Sequence, residues 1–390
     1  MRRDSAVRRV AAAWRAGTPP FPTEPAQLTA AWLTDVLRAS TGLAHLHVIG
    51  CRWEPVAAQG GAALVVRVWL DYDRQTSGQP ATVVVKFAAR HPPMRGVMHR
   101  FGLYRAEVGF YRDLARDAGI PTPRCHHAAI DDASGHFAIV LEDLQDGRAG
   151  DPLCPEVADV ETAIDHVAGL HGRWWRHPRL RTLDWLVYPH GPAFEARAAA
   201  LPLTYAHAAT AVRQGLGPAF PPILAEACDR IFEGWPAFVA ARLPQAPTLV
   251  HRDFHPQQMF FPSGRGGRFA VFDWQTVSVG TGADDVARIL AMGLTRADRA
   301  AHQTRLVDRY HARLRSHGVD DYPYEQCVRD VRLGLTGSLL TNVIATSALD
   351  LSAFAARESA TGVTFVYAVF DRLAAAFEAN DVLALLPPRA

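Results

Sequence analysis

Residues 249–261 read Leu249-Val250-His251-Arg252-Asp253-Phe254-His255-Pro256-Gln257-Gln258-Met259-Phe260-Phe261, and twenty residues beyond Asp253 the chain reads Val271-Phe272-Asp273-Trp274-Gln275. A short apolar run precedes each acid, so each is expected on a loop or at the end of a strand. Two acids placed in this way suit one kind of chemistry. Phosphoryl transfer from a nucleotide needs a carboxylate to orient the accepting hydroxyl, and metal ions to bridge the phosphate oxygens. Magnesium takes a few hard oxygen ligands and completes its shell with water and phosphate. Asp253 on a loop and Asp273 on a rigid strand end can supply both groups.

Outward from this island the chain divides into two textures. Upstream, residues 46–57, 62–72 and 82–88 are short and rich in β-branched side chains, with Gln59-Gly60-Gly61 and Asp73–Pro80 between them. They are expected to be antiparallel strands, joined by two more at 124–130 and 136–142. Apolar spacing predicts helices at 27–39 and 101–118. Downstream, helical periodicity dominates at 156–176, 192–215, 219–242, 283–294, 297–316, 323–349 and 360–384. Only the segment 249–276 interrupts it. This outlines an α+β, two-lobed protein. The expected N-terminal lobe is 1–144, beginning with a loose Arg/Ala-rich arm over 1–22. The expected C-terminal lobe is 145–390, carrying a catalytic loop at 249–262 and a metal-binding strand end at 270–275.

Composition narrows the class. Apolar residues make up 49% and charged residues 21%, with a net charge of +2 and no block of one sign. That excludes disorder and gives no reason to expect nucleic acid or an anionic membrane as partner. The five cysteines are scattered without metal-ligand spacing, which suits free thiols in a reducing compartment. No apolar leader or membrane span is legible, and the cytoplasm is the expected location. Oligomeric state is not legible.

One compositional fact is sharper. Of the 41 basic residues, Lys86 is the only lysine. A chain that uses arginine wherever either residue serves keeps a lysine by chance or because a compact ammonium is needed, as it is against phosphate oxygens.

These segments together resemble a known family. His251-Arg252-Asp253 with an amide five residues on, Asp273-Trp274-Gln275, Val83-Val84-Val85-Lys86-Phe87 and Leu141-Glu142-Asp143-Leu144 resemble the motifs of the aminoglycoside phosphotransferase and choline kinase superfamily. The ecdysteroid-kinase-like group looks closest. The resemblance implies a bilobal protein-kinase-like fold, with a five-stranded antiparallel N-lobe and a helical C-lobe. It implies ATP and magnesium as cofactors, and a hydroxylated small molecule as acceptor. By position, Asp253 corresponds to the catalytic base and Asp273 to the magnesium-binding acid. Lys86 corresponds to the lysine on the α- and β-phosphates, and Glu107 to its helix partner. Glu142 and Leu144 lie in the hinge that holds adenine. Asp285 corresponds to the acid bracing the catalytic loop, with His251 packing beneath it.

Two departures stand out. The second metal ligand of the family is asparagine, and here it is Gln258, one methylene longer. The turn at Gly60 and Gly61 is permissive but lacks the usual glycine-rich pattern. These departures keep open a second reading, a nucleotide-binding pseudokinase with a regulatory role. A protein kinase is disfavoured, because nine residues between Gln275 and Asp285 leave no room for a substrate-docking segment. Residues 151–250 carry ten acidic and eight basic side chains. This balance leans away from a polycationic acceptor, towards a neutral or partly apolar alcohol such as a sterol-like, macrolide or other natural-product hydroxyl, and leaves an aminoglycoside antibiotic open.

Overall fold

The computed structural model describes residues 19–56, 61–264, 267–348 and 363–389. Within them the chain forms two compact units. The first runs to Asp117 and resumes over Thr122–Gln145, while the second takes Ala118–Pro121 and everything from Asp146 onward.

The first unit is built on one antiparallel sheet of β1 (Val48–Pro55), β2 (Ala63–Tyr72), β3 (Thr82–Ala88), β4 (Cys125–Asp131) and β5 (His136–Glu142), in the order β1-β2-β3-β5-β4. Strand β2 alternates buried and half-buried side chains along its length, as a sheet with one covered face requires. Helix α1 (Ala30–Thr41) packs against β1 and β4. It begins where the Thr29 hydroxyl accepts the Trp32 N–H at 3.2 Å, and ends at Gly42 in the left-handed region. The buried face of α1 carries Trp32, Leu33, Val36 and Leu37, and the core there also takes Phe21. The expected loose arm is therefore anchored by its last residues; residues 1–18 lie outside the described part.

Helices α2 (Pro92–Arg100) and α3 (Leu103–Asp113) follow β3. Helix α2 was not anticipated, since its sequence, with Pro92, Pro93 and Gly96, has little apolar periodicity. Helix α3 stops at Asp113, short of the expected 118, and gives way to a single 3₁₀ turn at Ala115–Asp117.

The second unit is mainly helical, with α4 (Val157–Arg173), α5 (Pro192–Leu216), α6 (Pro222–Glu233), α7 (Trp235–Ala241), α8 (Ala283–Met292), α9 (Arg296–Ser316), α10 (Tyr324–Ser347) and α11 (Val363–Ala379). The expected helix over 219–242 is two helices broken at Gly234. Pro236 lacks the N–H that a continuous helix would need, and its ring would meet the carbonyl of Phe232. Short strands form two small sheets: β6 (Gly147–Ala149), β8 (Met259–Pro262) and β9 (Ala270–Val271) in one, β7 (Thr248–Val250) and β10 (Ser278–Gly280) in the other. Of these, β6 had no counterpart in the sequence reading, being too short for a periodic signal. The aromatic side chains Trp174 and Trp185 are buried, as core residues of this unit. No helix among the described residues is long and apolar enough to cross a membrane.

Candidate active site

In the first unit, β3 and α3 present Lys86 and Glu107 to each other. The Lys86 Nζ lies 2.9 Å from Glu107 Oε1 and 2.7 Å from Oε2, with both side chains buried. Register explains the placement. Lys86 pairs with Val65 on one side and Ile139 on the other, so it sits on a central strand where its backbone cannot shift. Glu107 lies one turn after Tyr104, whose hydroxyl donates to the Ala62 carbonyl at 2.8 Å and accepts the Ala89 N–H at 3.1 Å. Tyr104 thereby ties the start of β2 to the end of β3.

Gly61, just before β2, has φ +62° and open space around its missing side chain, so a ligand can approach its backbone closely. Gly60 lies outside the described residues. Glu142 ends β5, and its carboxylate accepts the Arg124 N–H at 3.0 Å. Between Glu142 and Leu144, Asp143 is buried and takes two bonds from Arg67, at 2.7 and 3.0 Å. This fork from β2, which sequence reasoning missed, fixes the chain where β5 ends.

In the second unit, two strand pairings bring the motif segments together. β7 pairs with β10, and β8 with β9 through Met259↔Val271 and Phe260↔Ala270. The β8–β9 register carries on one step, where the Phe272 N–H donates to the Gln258 carbonyl at 3.0 Å. Gln258 and the residue preceding Asp273 are therefore adjacent. The turn between β7 and β8 holds Arg252 at φ 70°, and Asp273 is at φ 62°. Both lie in the left-handed region, an uncommon conformation that clusters at functional sites.

The loop is braced from beneath by Asp285, fully buried on the first turn of α8. Its carboxylate accepts the His251 N–H at 2.7 Å and the Arg252 N–H at 2.8 Å, and lies 3.2 Å from His171 Nε2. The other ring nitrogen of His171 is 2.9 Å from the Tyr310 hydroxyl. Burial would push the Asp285 carboxyl up, but the hydrogen bond and charge of His171 hold it below the usual range.

His251 is also fully buried, and burial lowers its imidazole. A neutral ring must place its proton on Nε2, because that nitrogen faces the Phe272 carbonyl at 3.0 Å. Nδ1 is then the acceptor for the Asp253 N–H at 3.2 Å. His251 thus couples the loop to the segment that ends at Asp273.

Asp253 itself is held tightly. Its Oδ1 receives Arg288 Nε at 2.9 Å and Arg288 Nη2, and His255 Nε2 lies 3.3 Å away. Its Oδ2 receives the Gln258 amide at 3.1 Å. Burial would raise this carboxyl, yet the Arg288 guanidinium, followed by His255, holds it well below the usual carboxylate range. Arg288 was not read from the sequence. The available signal was an arginine one turn after Asp285, on the otherwise apolar stretch Val286–Met292.

The donor set fits a magnesium ion. Asp273 offers a hard carboxylate. The Gln258 amide turns its NH₂ toward Asp253, which leaves its carbonyl oxygen available, and Gln275 Oε1 is buried with no hydrogen-bond partner among the described residues. No group of three or more His, Cys, Asp or Glu placed to hold a metal ion by themselves occurs among the described residues. Magnesium held largely by phosphates and water needs no such cage.

Comparison with known proteins follows the same lines. Choline kinase from Cryptosporidium parvum Iowa II has a TM-score of 0.54 at 9% identity, covering 92% of this chain and 98% of that one. Plasmodium vivax ethanolamine kinase has a TM-score of 0.51 at 12% identity, covering 90% and 89%. At such identities these similarities speak for the fold alone, and the fold is protein-kinase-like. A search of curated protein sequences gives no match. A sequence model of the phosphotransferase enzyme family matches residues 65–323. That span takes in Lys86, Glu107, the 249–275 segment and α8, and is more than half of the chain. The chain therefore belongs to the phosphotransferase enzyme family.

Proposed function

We propose that this protein uses ATP and magnesium to phosphorylate a hydroxyl group on a small molecule. The observation that carries the reading is the Asp253 carboxylate, which has Oδ1 saturated and Oδ2 in contact with a single amide. Oδ2 keeps capacity to accept a hydroxyl proton. In the reaction, the acceptor oxygen bonds to the γ-phosphorus while the bond from that phosphorus to the β,γ-bridging oxygen breaks. ADP leaves, and the hydroxyl proton passes to Asp253 and on to solvent. Positioning and charge neutralisation supply most of the acceleration in this class of chemistry.

The remaining residues take roles by chemistry. Asp273 and the Gln258 carbonyl would hold magnesium, which supplies charge neutralisation at the phosphate oxygens. Lys86, fixed by Glu107, would contact the α- and β-phosphates. The backbone at Gly61 would approach phosphate, and the backbone at Glu142 and Leu144 would face adenine. The near balance of charge over 151–250 favours a neutral or partly apolar alcohol as acceptor.

The test is incubation with magnesium and ATP against a panel of hydroxylated small molecules, read by mass spectrometry. A product heavier by one phosphoryl group, absent with Asp253→Asn, is expected and names the acceptor class. Tight nucleotide binding without turnover would favour a regulatory nucleotide-binding protein instead. Absence of nucleotide binding would overturn both readings.

A further inference from the structure

We propose that Arg288 is a positioning residue for the transfer: by holding Oδ1 of Asp253 it sets the rotation of the carboxylate and leaves Oδ2 to the acceptor hydroxyl. This rests on the reading of Asp253 given above. A guanidinium commonly meets a carboxylate through two parallel bonds, one to each oxygen. Here Arg288 Nε and Nη2 both converge on Oδ1, and His255 Nε2 stands 3.3 Å from the same atom. Three contacts fill Oδ1 and stop the carboxylate from turning about its Cβ–Cγ bond. Oδ2, with the Gln258 amide at 3.1 Å, remains the atom with lone-pair capacity.

The support behind this clamp is rigid. Arg288 is on α8 one turn beyond Asp285, and its side chain is 5% exposed. Asp285 fixes the loop backbone through the His251 and Arg252 N–H groups, so a single helix sets both the height of the loop and the rotation of its carboxylate. Burying a guanidinium is costly, and a buried ion pair is weak support for stability taken alone. A lysine at 288 would keep the charge but present a point donor in place of two N–H groups in a fixed plane.

The experiment uses the full chain and four variants: Arg288→Lys, Arg288→Ala, Asp253→Asn and Arg309→Ala. Arg309, paired with Asp165 on the surface of α4 and α9, serves as control. The assay is release of inorganic phosphate from magnesium ATP with water as acceptor, alongside nucleotide affinity and melting temperature. Arg288→Lys is expected to bind nucleotide like the unaltered chain while kcat falls about ten- to hundredfold, the scale of an ångström-level misplacement. Arg288→Ala is expected to lose more, with part of the rate restored by added guanidinium ion and no such rescue in Asp253→Asn. Unchanged kcat in either Arg288 variant overturns the inference, as does a loss that follows nucleotide affinity and ignores guanidinium. If Arg288→Ala does not fold, Arg288→Lys decides by its kcat at unchanged nucleotide affinity. Undiminished turnover in Asp253→Asn, or no turnover in the unaltered chain, removes the reading of Asp253 beneath this proposal and is distinguishable from failure of the Arg288 step.

Discussion

The two units hold their key charges in different ways. In the first, Lys86 on a central strand meets Glu107 on a helix, and the pair is positioned by regular secondary structure. In the second, Asp253 sits on an irregular loop and is held by side chains: Arg288, His255 and Gln258 around the carboxylate, with His251 and Asp285 beneath the backbone. A strand and a helix supply rigidity at no extra cost in polar groups. A loop has to borrow rigidity from buried hydrogen bonds, each of which is expensive to leave half made. The difference teaches where substitutions should be tolerated and where they should not.

The largest effect is expected at the loop carboxylate. Asp253→Asn keeps the size of the side chain but removes its charge, and turnover should fall by about 10³-fold, within the range of positioned acid–base groups. Steady-state kinetics with magnesium ATP would show it, and retention of more than a tenth of the rate would break the comparison at its centre.

Next come the braces. Asp285→Ala leaves the His251 and Arg252 N–H groups and His171 without their acceptor in a fully buried place. A loss of about 3–5 kcal/mol in unfolding free energy is expected. Denaturant unfolding would measure it, and a loss below about 1 kcal/mol would mean the loop does not depend on this network.

The pair in the first unit should behave more simply. Lys86→Met removes the ammonium that pairs with the buried Glu107 carboxylate and should destabilise by about 3 kcal/mol, whereas Lys86→Met with Glu107→Leu should recover most of that loss. Nucleotide affinity should stay low in both variants, separating folding from binding. If the double variant is no more stable than the single one, the pair is part of a wider network and the contrast between the units fails.

A steric prediction sharpens the same contrast. Gly150 donates its N–H to Met259 at 3.1 Å, and a side-chain carbon there would lie 2.2 Å from the Pro256 carbonyl oxygen. Gly150→Ala should therefore displace the loop that carries Asp253 or lower the melting temperature, by an amount equivalent to about 1–3 kcal/mol. Thermal melts together with kcat would detect either result, and a variant unaltered in both would contradict the close approach.

The smallest effect concerns acid. Burial, with Arg124 adding to it at His126, lowers His126 and His127 of β4 to about 4. Between the ordinary value of 6.5 and about 4, the unfolded chain binds protons that the folded one refuses, so stability falls as pH drops through this window. His126→Gln should flatten part of that slope in chemical unfolding measured at several pH values. An unchanged slope would show that His126 takes up its proton without resisting the fold.

Much of this protein was legible in its sequence. Short runs rich in β-branched residues announced the strands of the first unit, the one that carries Lys86 among them, since strand propensity is a local property. The helix bearing Glu107 was legible for the same reason, although its end was not, because helix ends depend on what the chain packs against. The spacing of Asp253, Gln258 and Asp273 pointed to a shared site before any contact was visible, since short loops and hairpins constrain residues near one another in the chain. Arg288 and the Arg67–Asp143 fork were decided by tertiary structure alone. Nothing in local sequence says which of forty arginines will be buried against which acid. That choice is made when distant segments pack, with Arg67 lying 76 residues from Asp143 and Arg288 lying 35 from Asp253. Local propensity sets which elements form. The burial of a charge, and with it the clamp of Arg288 on one oxygen of Asp253, is set by the packing of elements that the chain brings together only on folding.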